Sequence, residues 1–117
     1  MPEGLTAAAL AEAVEHLVRQ RDGILMIKLG GSALDDPAAA ERCLRGVAVL
    51  HQLRFPLLLL HGGGKAIDRA MQQAGLTPRK IAGRRYTDTE TLAIVVRVLQ
   101  QINRDLARNT SKIAEPP

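Results

Sequence analysis

Two glycine-rich turns, each directly after an apolar run, constrain the fold of this chain more than any other feature. The first run, residues 24–29, ends at Gly30-Gly31, and the second, residues 57–60, ends at the His-Gly-Gly-Gly of residues 61–64. Short apolar runs that stop at glycines are typical of strands buried in a parallel sheet. Because helical patterns separate the two runs, we predict an α/β protein in which right-handed crossovers connect the strands.

Four helices are predicted from apolar residues that recur every three or four positions. They cover residues 6–21, 36–53, 65–75 and 87–108. Asp36 followed by Pro37 is typical of a helix start, and Thr87 with Glu90 has the spacing of a capping box. The last helix has a wide apolar surface, which favours burial on more than one side.

Two segments lack a helical pattern. Residues 79–86 are predicted as a loop or short strand, with a third strand near residues 80–82 left open. Residues 109–117 are polar and end in two prolines, so a disordered tail is predicted there. A sheet with two clear strands is thin for an independent domain, which suggests a part of something larger.

Composition excludes several classes of protein. Aromatic residues make up 2% of the chain, too few for a platform that stacks single-stranded nucleic acid. The single cysteine, Cys43, excludes a disulfide framework and a multi-cysteine metal site, and its place on a helical apolar stripe predicts core packing. No apolar run is long enough to cross a bilayer. We therefore expect a cytoplasmic protein that binds no nucleic acid or membrane and builds no metal site from its own side chains.

The glycine turns are candidates for binding an anion, because glycine lets backbone N–H groups approach a ligand closely. Neither turn fits the P-loop or dinucleotide pattern, so a tight turn without a ligand stays open as the alternative. Lys28, inside the first apolar run, either faces a phosphoryl group or holds its amine in water at an edge. Arg85 suits a carboxylate in bidentate geometry, or else it lies on the surface.

Three segments resemble the amino-acid kinase family in their order and spacing. They are IKLGGSAL (27–34), LLHGGGKAID (59–68) and AGRRYTDTETL (82–92). The resemblance covers residues 24–108 and is strongest to the branch that phosphorylates N-acetyl-L-glutamate in arginine biosynthesis. It implies a three-layer αβα sandwich with a mainly parallel sheet, and ATP with Mg²⁺ as co-substrate.

The resemblance also implies roles for single residues. Lys28 matches the lysine that stabilises the transferring phosphoryl group, and Gly30 with Gly31 matches the first phosphate-binding turn. Gly63 and Gly64 match backbone donors to the acyl-amino-acid substrate and the phosphoryl group. Arg85 matches the arginine that binds the substrate's α-carboxylate.

Family members are about twice this length or more, so the resemblance implies a truncated or split N-terminal half without the adenine site. Residues 1–23 resemble an N-terminal helical extension, residues 24–108 the acyl-amino-acid and phosphoryl-binding part. We expect a homo-oligomer, or association with a kinase chain or with a missing C-terminal half. Two alternatives stay open: a non-catalytic module that pairs with a full-length kinase, and a relative that acts on another carboxylate.

Overall fold

A computed structural model describes residues 4–115 as an α/β fold of five helices and two small sheets. In chain order the elements are α1 (Ala7–Arg19), β1 (Leu25–Leu29), α2 (Gly31–Asp35), α3 (Pro37–Gln52), β2 (Leu57–His61), α4 (Gly64–Gln73), β3 (Lys80–Ile81), β4 (Arg84–Arg85) and α5 (Thr89–Ala114). The predicted α/β class is confirmed. In the part of the chain that is described, no helix is both long and apolar enough to span a membrane.

The two predicted strands pair in parallel, with Leu25 opposite Leu57 and Leu29 opposite His61. The backbone N–H of Gly62 donates to the Leu29 carbonyl at 3.2 Å, so the pairing continues into the second glycine turn. Both strands therefore end at the same edge of the sheet, and both glycine turns leave from that edge.

The possible third strand near residues 80–82 does not join this sheet. Lys80–Ile81 and Arg84–Arg85 pair in antiparallel fashion as a separate hairpin. The turn between them has positive φ angles at Ala82 (49°) and Gly83 (76°). Two such residues reverse the chain tightly, and the strand pairs with its own continuation.

Helices cover one face of the parallel sheet. Leu29 packs with Leu44 of α3 and Leu106 of α5 in a buried cluster, and Leu59 and Ile113 lie against it. On the other face Met26, Lys28, Leu58 and Leu60 are exposed. Residues 4–115 thus form two of the three predicted layers, and the strands are buried on one face rather than on both.

A second cluster joins α4 to α5 through Ile67, Met71 and Ile94. The wide apolar surface of α5 is therefore buried in part, against the sheet and against α4. Leu92 and Val96 on the same helix remain about half exposed. The prediction that α5 is buried on more than one side is confirmed, with these two positions as exceptions.

Two helix starts are confirmed by side-chain caps. Thr6 Oγ1 accepts from the Ala9 N–H at 3.1 Å, and Asp36 Oδ1 accepts from the Ala38 N–H at 3.0 Å. The apolar stripe predicted for α1 is not packed, because none of its residues is buried. Residues 1–3 of the predicted N-terminal extension lie outside the described residues.

Three expectations about α3 and α5 are wrong. Cys43 is exposed, because Leu44, Val47 and Ala48 form the buried stripe of α3 instead. The cap of α5 is Asp88, not Thr87, whose hydroxyl donates to the Arg85 carbonyl. The predicted disordered tail is helical through Ala114, because Ile113 packs on the core; residues 116–117 lie outside the described range.

Candidate functional site

The candidate site lies where the two glycine turns leave the parallel strands. Gly30 is the residue before α2, and Gly63 is the residue before α4. The first N–H groups of a helix lack intrahelical partners and carry partial positive charge. With ten residues, α4 directs this charge to the same sheet edge at which β1 ends. Such an edge suits an anionic ligand.

Most of the glycines at this edge are not required by the fold. A Cβ atom at Gly30, Gly62 or Gly64 would meet nothing within 4 Å, and none of the three has a left-handed φ. Their backbone is open to close approach by another molecule. This geometry fits the phosphate groups of a nucleotide, which bind to unshielded backbone N–H groups.

Gly63 is different from its neighbours. A Cβ atom there would lie 2.9 Å from Ile102 Cδ1 and 3.0 Å from Leu99 Cδ2, both on α5. These distances are shorter than van der Waals contact. A Cβ atom at this position needs movement of the Ile102 and Leu99 side chains, so the packing of α5 favours glycine here, whatever else binds to its backbone.

Lys28 is exposed on the open face of β1, beside Leu60 of β2. Among the described residues it forms no ion pair. Because side chains alternate along a strand, Lys28 shares its face with Met26 and not with the buried Leu29. The structure therefore avoids the cost of a buried ammonium group, and it leaves the role of this amine in phosphoryl transfer as a prediction.

Arg85 lies at the second glycine turn. Its guanidinium Nη2 donates to the Gly64 carbonyl at 3.3 Å and lies 2.5 Å from Asp68 Oδ1 as an ion pair. Its Nη1 donates to Met71 Sδ at 3.3 Å. Because only 14% of the side chain is exposed, the alternative that Arg85 is a solvated surface residue is wrong.

Asp35, which the sequence analysis did not single out, connects the two turns. It is the last residue of α2, and its Oδ2 lies 3.2 Å from the Lys65 ammonium in the first turn of α4. Arg69 Nη1 lies 4.0 Å from its Oδ1. The sequence contains part of this information, because the four-residue spacing places Lys65 and Arg69 on one face of α4. No local pattern indicates that α2, with Asp35, packs against that face.

A cleft of about 570 Å³ opens beside these groups and is lined by Gly31, Asp35, Gly64, Lys65 and Lys112 among others. It brings Gly31, Gly63 and Gly64 together with two exposed cations of α4. The cleft can hold a small charged molecule.

His61 has a structural role at this edge. Its Nδ1 donates to the Gly62 carbonyl at 3.0 Å, and Asn103 Nδ2 lies 3.4 Å from its Nε2. The ring links β2 to α5, in agreement with its interpretation as a hydrogen-bonded structural histidine.

Comparisons with known proteins bear on this geometry. The sequence profile of the "Amino acid kinase family" matches residues 23–114. Acetylglutamate kinase from Akkermansia muciniphila is 41% identical over 93 residues, 80% of this chain and 31% of the relative. Acetylglutamate kinase from Methanococcus aeolicus is 35% identical over 113 residues, 96% of this chain and 38% of the relative. The chain thus spans about a third of the length of these relatives.

Solved structures agree with the fold. N-acetylglutamate synthase from Neisseria gonorrhoeae, in a complex with coenzyme A and L-arginine, superposes with a TM-score of 0.66. The matched part covers 91% of this chain and 24% of the synthase, at 24% sequence identity. At this identity the likeness concerns the arrangement of helices and strands.

Proposed function

Because the chain belongs to the amino acid kinase family, we propose that it forms the substrate side of an acetylglutamate kinase site. The reaction is ATP-dependent phosphorylation of the γ-carboxylate of N-acetyl-L-glutamate, a step of arginine biosynthesis. The observation that carries the proposal is that two glycine turns open at one sheet edge, with the sheltered Arg85 held at the second of them. Relatives named acetylglutamate kinase, 41% and 35% identical, support the choice of substrate.

In this proposal the residues of the chain bind and orient the two substrates. Arg85 pairs with the α-carboxylate of N-acetylglutamate, and the N–H groups of Gly63 and Gly64 hold the acyl-amino acid and the incoming phosphoryl group. Gly30 and Gly31 approach the phosphates of ATP, which supplies the γ-phosphoryl group with Mg²⁺. Lys28 lies one register position from the sheet edge and balances negative charge on that group.

The bond that forms joins a γ-carboxylate oxygen to the γ-phosphorus, and the bond that breaks joins this phosphorus to the β–γ bridging oxygen, with ADP leaving. Such a transfer needs mainly positioning and charge stabilisation from the protein. We propose that the adenine pocket comes from outside the described residues. A kinase chain or a C-terminal half would supply it, and a homo-oligomer of this chain is the alternative assembly.

The substrate-binding part of the proposal is tested by calorimetric titration of the chain with N-acetyl-L-glutamate. We expect binding that Arg85→Ala weakens about 10-fold or more, because a charge-assisted pair is lost. Arg84→Ala is the matched control, since Arg84 is the exposed neighbour on the same strand. Absence of binding by the unchanged chain, or equal losses in both variants, would contradict the proposal.

The catalytic part is tested by incubating the chain with ATP, Mg²⁺ and N-acetyl-L-glutamate, with hydroxylamine to trap the acyl phosphate. Turnover that Lys28→Ala abolishes and Lys80→Ala retains would assign Lys28 to the transfer step, since Lys80 is exposed on β3 and does not line the cleft. Binding without turnover would mean that the chain alone is either a half-site that needs its adenine pocket or the alternative, a non-catalytic module that pairs with a kinase chain. The apolar side chains on the open sheet face, Met26, Leu58 and Leu60, favour that second candidate.

A further inference from the structure

The Arg85 side chain is largely buried although it carries a charge. A guanidinium group with 14% of its side chain exposed has lost most of its hydration. Removing a charge from water is costly unless a partner of opposite charge and hydrogen bonds compensate for it. The contacts that hold Arg85 therefore determine whether it is available to a ligand at all.

Asp68 of α4 is the charged partner. Its Oδ1 lies 2.5 Å from Arg85 Nη2, and 29% of the Asp68 side chain is exposed. Asp68 lies four residues after Gly64, so its carboxylate and the Gly64 carbonyl approach the same nitrogen from the first turns of one helix. The third contact of the guanidinium is with a sulfur atom, Met71 Sδ, which also lies on α4.

Part of the Arg85 guanidinium has N–H groups that remain available to a ligand. Arginine has five N–H groups, two of them on Nη2. Gly64 accepts from one N–H of Nη2 and Met71 from one N–H of Nη1, whereas Asp68 faces Nη2 as an ion pair. Within residues 4–115 no hydrogen bond involves Nε, and a second N–H of Nη1 is likewise without an acceptor.

We propose that Asp68 is a positioning residue, which holds the Arg85 guanidinium at the second glycine turn and acts on the substrate carboxylate only through Arg85. The inference rests on the proposed function for the identity of the ligand. It assigns to Asp68 a part in carboxylate recognition although the aspartate itself would repel a carboxylate. Proximity to a cation offsets that repulsion.

The first test is the affinity of the full chain for N-acetyl-L-glutamate by calorimetry. We expect Asp68→Asn to weaken binding about 10-fold, which is about 1.4 kcal/mol. The double variant Asp68→Asn/Arg85→Ala should bind no more weakly than Arg85→Ala alone, because both residues act through one guanidinium. Asp68→Glu, which keeps the charge, should recover part of the affinity.

The matched control is Asp22→Asn. Asp22 is exposed in the turn after α1 and does not line the cleft, so the same substitution there changes the net charge equally without touching Arg85. Affinity in Asp22→Asn should equal that of the unchanged chain. Unchanged or tighter binding in Asp68→Asn would overturn the proposal, because the aspartate would then be idle or a competitor.

The second test is independent of the ligand. Nitrogen-15 NMR of the arginine side chains should give separate, slowly exchanging Nη signals for Arg85, since a paired guanidinium rotates slowly. These signals should collapse in Asp68→Asn and persist in Asp22→Asn, with backbone amide spectra recording that both variants are folded. Persistence in a folded Asp68→Asn overturns the positioning role. Loss of the signals together with no binding by the unchanged chain would instead refute the proposed function alone.

Discussion

At the scale of single residues, the three adjacent glycines of the second turn differ in how closely other side chains approach them. Gly62 and Gly64 have free space where a Cβ atom would stand, whereas Gly63 is pressed against Ile102 and Leu99 of α5. A run of identical residues thus combines a packing requirement with an open backbone. The two causes can be separated by measuring folding and binding in the same variants.

Gly63→Ala should destabilise the chain, because its new methyl group needs movement of two α5 side chains. We expect the free energy of unfolding to fall by about 1 to 2 kcal/mol, the usual range for modest overpacking. Gly62→Ala is the control and should change it by less than about 0.5 kcal/mol. Urea denaturation measures both, and equal values would contradict the close approach seen at Gly63.

At the scale of helices, α5 is fixed at both ends by features that its apolar pattern does not contain. At its start, Asp88 Oδ1 accepts from the Thr91 N–H at 2.8 Å. Near its end, Ile113 packs on the cluster of Leu29, Leu44 and Leu106. These contacts set the length of the helix, and each can be tested alone.

The cap of α5 should make stability depend on pH. The hydrogen bond from the backbone N–H of Thr91, followed by that from its hydroxyl, lowers the pKa of Asp88 below its ordinary value of 3.8. A carboxylate whose pKa is lowered by folding stabilises the folded state at pH values above its pKa in the unfolded chain. This stabilisation is lost as the pH falls through the pKa of the folded state.

Thermal unfolding between about pH 5 and pH 2 should therefore show a steeper acid loss in the unchanged chain than in Asp88→Asn. Asparagine retains the cap but does not titrate. Parallel curves for the two proteins would show that the Asp88 carboxylate contributes nothing.

The end of α5 gives a second prediction at this scale. Ile113→Ala removes a partly buried side chain from the core and should lower the free energy of unfolding by about 1 to 2 kcal/mol. Lys112→Ala, at an exposed neighbouring position, should leave it within about 0.5 kcal/mol. Circular dichroism during denaturation measures both. A negligible loss in Ile113→Ala would mean that the last turn of α5 does not contribute to the fold.

Local chemistry explains which elements could be predicted. The conformations at Asp36-Pro37 and at the glycine turns follow from the residue types found there, and the structure has them where the sequence indicates. Residues Asn109 to Ser111 are poor helix formers, so only the distant packing of Ile113 reveals that α5 continues.

At the site, sequence motifs identify only some of the residues. They indicate Lys28, Arg85 and the glycines, whereas Asp35 and Asp68 have the sequence surroundings of ordinary surface carboxylates. Their contacts depend on how α2, α4 and the hairpin meet. The open face of β1 was also unpredictable, because a continuous apolar run contains no alternation to identify a solvated side.

At the scale of the whole molecule, the parallel sheet has one covered and one open face. Leu59 lies against the buried cluster, and its neighbour Leu58 is 45% exposed on the other side. The hydrophobic contribution of the sheet to folding therefore comes from alternate residues of each strand.

This organisation predicts opposite behaviour for two adjacent leucines. Leu59→Thr should lower the free energy of unfolding by about 1.5 to 3 kcal/mol, because it puts a hydroxyl against the core. Leu58→Thr should change it by less than about 0.5 kcal/mol, since threonine suits a strand and the site faces water. Chemical denaturation compares the two, and similar losses would mean that both faces are covered in solution.

The different surroundings of these glycines also predict how such a chain would change during evolution. A lineage that lost the chemistry but kept the fold would be released from selection at Gly30, Gly62 and Gly64, where nothing crowds a side chain. At Gly63 substitution would stay costly, because the Ile102 and Leu99 side chains of α5 must move to admit a Cβ atom. Among descendants, the pattern of drift across these four positions would therefore record whether the function or only the architecture was inherited.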